Sequence, residues 1–96
     1  MRLDFHPEAL AEYRAAARYY ETRKPGLGIR FVEAVEDAIE RVIESPLAWR
    51  DCGEGIQRCL TRVFPYAVYY TIEADKVQVL AIGHCAREPG YWNERL

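Results

Sequence analysis

The sequence predicts an α+β domain of two layers. An N-terminal strand and an antiparallel helical hairpin pack on an antiparallel β-sheet, in the order β-α-α-β-β-β. Three observations predict this. Apolar residues recur at steps of three and four between residues 8 and 44. From Ile56 onward the vocabulary changes to valine, isoleucine and tyrosine in runs of strand length. Pro7, Pro25, Pro46 and Pro65 fall at the joins between segments, where proline belongs.

Arg2 to His6 alternates weakly, with Leu3 and Phe5 on one side, and reads as a short strand. Pro7 ends it and suits the first position of a helix, and Glu8 and Glu12 suit the positive end of the dipole. The first helix runs to about Arg23, with Leu10, Tyr13, Ala17 and Tyr20 as its apolar stripe. Lys24-Pro25-Gly26 stops it. The second helix runs from about Leu27 to Glu44. Phe31, Val32, Val35, Ala38, Ile39, Val42 and Ile43 form its apolar face, and Ser45-Pro46 closes it. Its short link to the first helix predicts an antiparallel hairpin. Residues 46–55 read as a loop holding a lone tryptophan, Trp49.

Three strands follow: Ile56 to Val63, Tyr66 to Glu73 and Lys76 to His84, joined by short links as an antiparallel meander. The last is apolar on both faces, Val77, Val79 and Ala81 against Leu80 and Ile82, as in a central strand. Tyr66 and Tyr70 share one face of the middle strand and Tyr69 takes the other. In the tail, Tyr91 and Trp92 read as a hydrophobic clasp onto the sheet.

The 96 residues make one domain, 1–96, and are too few for two. Half of them are hydrophobic and 29% are charged, which excludes a disordered chain. No apolar run approaches the ~18 residues of a membrane span, and no leader precedes the first strand, so a cytoplasmic location is expected. Cys52, Cys59 and Cys85 cannot all pair and match no zinc spacing, so they are read as reduced thiols and small apolar fillers. No metal cluster, phosphate loop or Ser/His/Asp grouping is present, and no cofactor is expected. A net charge of −2 argues against a nucleic-acid binder. The second helix carries five acidic and two basic residues, which suits a solvated face or a basic protein partner.

An ordered set of short segments runs nearly end to end. It comprises Phe5-His6-Pro7-Glu8-Ala9, Tyr19-Tyr20-Glu21, Leu27-Gly28 with Phe31, Ser45-Pro46 and Arg58. Then come Phe64-Pro65-Tyr66-Ala67-Val68-Tyr69-Tyr70, Gly83-His84, Arg87-Glu88-Pro89-Gly90-Tyr91-Trp92 and Arg95. By this set the chain resembles the ParE/RelE superfamily of small bacterial toxins, in its ParE-like, plasmid stabilisation branch. The resemblance implies the same β-α-α-β-β-β fold. It implies the toxin of a type II toxin–antitoxin pair, neutralised by a cognate antitoxin as a hetero-oligomer, or self-associating as a homodimer when alone. ParE-like members poison DNA gyrase by binding. RelE-like members cleave messenger RNA on the ribosome without metal. A member with weak or lost toxicity is the third alternative.

For the ribonuclease alternative the resemblance implies a site of His84, Arg87, Tyr91, Arg58 and Arg62. Metal-free cleavage needs an acid, a base and cations about one phosphate. Ala67 and Cys85 stand where that branch tends to be basic, which favours the binding reading over the enzyme. Arg58 within a strand and Arg87 beside Glu88 also suit plain ion pairs, and His84 suits a satisfied, partly buried histidine. For a partner surface the candidates are Leu47, Trp49, Tyr91 and Trp92, because exposed apolar patches mark interfaces.

Overall fold

The computed structural model describes residues 2–96. Strand β1 (Arg2–Phe5) leads into helices α1 (Pro7–Arg23) and α2 (Leu27–Glu44). Strands β2 (Arg50–Asp51), β3 (Gln57–Leu60), β4 (Tyr66–Glu73) and β5 (Lys76–His84) follow, and a short 3₁₀ turn, Asn93–Arg95, ends the chain. The helices and the three-strand meander stand where the sequence predicts them, except that β3 stops at Leu60 rather than Val63, because the chain turns at Val63. Two features differ. The sheet is mixed: its order is β1-β5-β4-β3-β2, and β1 lies parallel to β5 while the other pairs are antiparallel. A parallel neighbour follows from the crossover, since the whole hairpin lies between β1 and the meander. The loop of residues 46–55 also contains β2, too short to show a periodicity. Among the described residues no helix is long and apolar enough to cross a membrane.

Both helix starts are capped locally. The His6 Nδ1 accepts the Glu8 amide at 3.1 Å, freeing Pro7 to occupy the first turn. Gly26 enters α2 at φ 87°, a conformation that favours glycine. The Glu21 carboxylate then accepts the amides of Gly26 and Gly28 at 3.0–3.1 Å, so α1 caps α2 from one turn away. A side chain at Gly28 would stand 2.7 Å from the Ala17 carbonyl, so the two helices meet there backbone to backbone.

The core lies between the hairpin and one sheet face. Phe31, Val35, Ala38, Ile39 and Val42 meet Cys59, Val68, Tyr70, Val77, Val79 and Ile82. On α1 the buried residues are Ala9 and Ala16, with Tyr13, Ala17 and Tyr20 half-buried around them. Leu10 is not among the core residues, because small alanines let α1 approach closely and turn Leu10 to the flank. Phe31 is the hub: Tyr20, Phe64 and Tyr66 lie 4.9–5.3 Å from it, centroid to centroid. To bring Phe64 inward the chain bends sharply at Val63, where φ is 73° and the Phe64 amide bonds the Arg62 carbonyl.

A bulge shifts the β4–β5 register between Tyr69 and Tyr70, which pair with Ala81 and Val79 and leave Leu80 as the extra residue. It moves Ala81 onto the face of Leu80 and returns Ile82 to the helix side with Val77 and Val79. Strict alternation assigned these the other way. The second face therefore has its own small core of Ile56, Ala67, Tyr69, Leu80, Ala81 and Trp92.

Replacing Ile39, 6% exposed, with alanine should cost about 2–5 kcal/mol, read from chemical denaturation. The alkaline limb is also set by the core. Burial pushes the Tyr70 hydroxyl, which donates to the Pro46 carbonyl at 2.5 Å, from 10.0 to about 12. Burial likewise holds Tyr13 at about 12, with the Glu36 charge adding to it. A raised folded-state value favours the protonated form. Stability should therefore hold below pH ~10 and fall between ~10 and ~12, measured by denaturant midpoint against pH.

Candidate functional site

The helix-free face of the sheet is closed by the tail. The Trp92 ring stacks on Tyr69 with centroids 3.8 Å apart, and at 6% exposure it fills the second core. The sequence reading of a clasp describes this. Trp92 is thus mostly buried, and its remaining edge lines the cleft between the β2–β3 turn and the tail. Of the other partner-surface candidates, Leu47 is 81% exposed. Trp49 is half-buried against the main core, its Nε1 donating to the Arg41 carbonyl at 3.2 Å. Tyr91 is partly buried with its hydroxyl sealed from solvent.

What holds the tail is a carboxylate on α1. β1 covers β5 only as far as Val79, so beyond it the outer edge of β5 is open. Glu12 Oε1 accepts the Ile82 amide at 3.1 Å, and Arg95 donates to the Leu80 carbonyl at 2.9 Å. The two side chains also meet in a bidentate pair of 2.9 and 3.0 Å, with side chains 16% and 8% exposed. Arg87 adds a second cation at 3.3 Å from Glu12. The Tyr91 ring lies beneath Arg87, 3.7 Å from its guanidinium carbon. The Tyr91 hydroxyl has no hydrogen-bond partner; burial first, and the Glu12 charge second, push it well above the ordinary tyrosine value. A Cβ on Gly83 would lie within van der Waals overlap of that hydroxyl.

Beside this clamp lies a cleft of about 460 Å³ between the β2–β3 turn and the tail. Arg58, Arg87, Tyr69, Cys52 and Cys85 line it, with Glu54 on its rim. Arg58 makes no ion pair among the described residues. Its positive charge lies near the Tyr69 hydroxyl and lowers that group against the larger upward push of burial. Cys52 and Cys85 are exposed here, so only Cys59, whose thiol burial pushes up, is the apolar filler the sequence suggested.

The five residues implied for a ribonuclease do not share one cavity. Arg58 and Arg87 share the cleft. His84 lies on the helix side, edge-on to Tyr66 at 5.3 Å, in a separate depression with Glu12 and Arg87. Its Nδ1 accepts the Ala86 amide at 3.0 Å. Arg62 stands at the far turn, 3.7 Å from Asp37. Tyr91 has its hydroxyl sealed against Gly83. Arg87 is tempered by Glu12 rather than by its neighbour Glu88. Ala67 is fully buried. Sequence reasoning missed Glu12 as a functional anchor, since nothing local distinguishes it from an ordinary first-turn carboxylate.

With the short β2 added, the observed order is β-α-α-β-β-β-β, and it contains the β-α-α-β-β-β frame that the resemblance implied. Residues 3–89 match the family of the ParE toxin of type II toxin–antitoxin systems, parDE, and the chain belongs to it. Among solved structures, the chain is similar to the chromosomal ParDE toxin–antitoxin system from P. aeruginosa. The identity is 20% and the TM-score 0.66, over 88% of this chain and 95% of that one. It is also similar to a mutant of the E. coli toxin RelE in complex with a peptide of the antitoxin RelB. There the identity is 23% and the TM-score 0.61, over 99% of this chain and 93% of that one. No match was found among curated proteins.

Breaking the clamp should unfold more than it exposes. Arg95→Ala leaves the Glu12 carboxylate without its bidentate partner and should cost about 3–5 kcal/mol. Glu12→Gln with Arg95→Ala should cost less than the sum of the single changes, read as a double-mutant cycle.

Proposed function

We propose that this ParE-family toxin acts by binding DNA gyrase, without covalent chemistry of its own, and that a cognate antitoxin neutralises it by covering the same molecule. The supporting observation is the dispersal of the acid–base set. A base near the 2′-hydroxyl and an acid near the leaving oxygen must face one phosphate with cations around it. Here Arg87 borders both the cleft of Arg58 and the depression of His84, but Arg58 and His84 share no cavity, Arg62 is across the molecule beside Asp37, and the Tyr91 hydroxyl is shut away from solvent. Burial and Glu12 further hold that hydroxyl protonated. Losing one preorganised donor commonly costs ~10²–10³ in rate, and Ala67 and Cys85 remove two cationic positions of the RelE branch.

One observation favours the ribonuclease reading: Arg58 and Arg87 line one cleft, and two cations there suit a phosphate. Two assays separate the readings. Pure protein should inhibit gyrase supercoiling, and the product of the neighbouring gene should restore it. Primer extension on messengers after induction should show no discrete cleavages in translated codons. Cleavages abolished by His84→Ala or Arg87→Ala would replace the binding reading by the enzymatic one. Absence of both effects would leave a member without toxicity.

A further inference from the structure

On the outer side of β3 two arginines oppose each other. Arg50 of β2 and Arg58 of β3 are direct partners in the antiparallel register, so both side chains leave the same face. Like charges directly opposite destabilise a strand pair. Among the described residues no carboxylate relieves them: neither arginine forms an ion pair. Asp51, the nearest acid in sequence, turns away and accepts the Gly53 amide at 2.7 Å. The two guanidiniums line a depression of about 310 Å³ with Arg41, Trp49 and Leu60. Arg41 is neutralised by Asp37, at 2.9 Å, and serves as a wall. The site thus holds two uncompensated cations beside an apolar side chain, Leu60, that is 50% exposed.

We propose that Arg50 and Arg58 receive an acidic segment of a protein partner. A carboxylate enters between the two guanidiniums and an apolar neighbour on the same segment lies on Leu60. The proposal rests on the reading of the chain as a protein-binding toxin and locates one contact of that binding. Charge and shape select a peptide over a nucleic acid. Guanidinium forks match carboxylates in a bidentate way. The Trp49 ring packs against the core and carries the Arg41 guanidinium carbon 5.6 Å from its centroid, so it offers no open platform for a base.

The test is fluorescence anisotropy with a labelled peptide of alternating leucine and glutamate, against a labelled oligouridylate of equal length. The native protein should bind the peptide and not the oligouridylate, and added salt should weaken binding. Arg50→Ala should weaken it about tenfold, the loss expected for a charged hydrogen bond. Arg58→Lys, which keeps the charge and loses the fork, should fall between the two. The thermal midpoint of Arg50→Ala should stay or rise, because a like-charge pair is relieved. Unchanged peptide binding in Arg50→Ala, or tighter binding of the oligouridylate than of the peptide, overturns the assignment. If the native chain and Arg50→Ala retain the product of the neighbouring gene equally well on co-purification, the site falls and the toxin reading stands. If neither retains it, the partner reading falls with it.

Discussion

The carboxylate of Glu12 is the tie on which the second half of the molecule depends. It sits on α1 and accepts from the backbone of β5 and from two arginines of the tail. Three pieces of chain far apart in sequence meet at one side chain. Breaking a buried ion pair leaves a charge that the interior does not solvate, which is why such a tie is conditional on both members. Arg95 is bound twice over, to Glu12 and to the Leu80 carbonyl, so the end of the chain is fixed by the strand it covers. Trp92 then has a fixed position over Tyr69, and the sheet gains a second core that a two-layer domain of this size lacks.

The same arrangement decides the character of the surface. A net charge of −2 suggests a featureless electrostatic surface, but local clusters of one sign stand out from it. The acids Glu33, Glu36, Glu40 and Glu44 stay exposed along α2. Arg50 and Arg58 stand opposite each other on β2 and β3, and Arg87 shares the cleft that Arg58 lines. Each such cluster offers complementary charge to a partner that approaches it, and orientation on encounter follows from those local contrasts.

The elements were legible in the sequence where the signal was local. Both helices carry a clear stripe or a proline boundary, and Phe64-Pro65-Tyr66 marks the turn that feeds Phe31 its aromatic neighbours. The face assignment of Ala81 and Ile82 was not legible, because a bulge is a matter of register between two strands. Leu10 misled for a similar reason: an alanine-rich helix docks through its smallest residues, and a hydrophobicity pattern overlooks them. The candidate site was legible only in pieces. Arg58 and Arg87 were visible as residue types, but Arg50 acquires its meaning from a two-residue strand, and Glu12 from partners at the other end of the chain. Long-range pairing leaves no trace in a local window.

Strand β1 is the first element made and pairs only with β5, the last strand. Synthesis at ~5–20 residues per second separates their appearance by roughly four to fifteen seconds. During that interval the hairpin has no sheet to cover its stripe, and contacts this distant are the slowest to form. The order of manufacture therefore acts as a safeguard. A chain interrupted before its final strand has no central partner for β1 and β4 and no roofed face. The roofed face comes into being only once β5 and the segment that carries Trp92 have both been made.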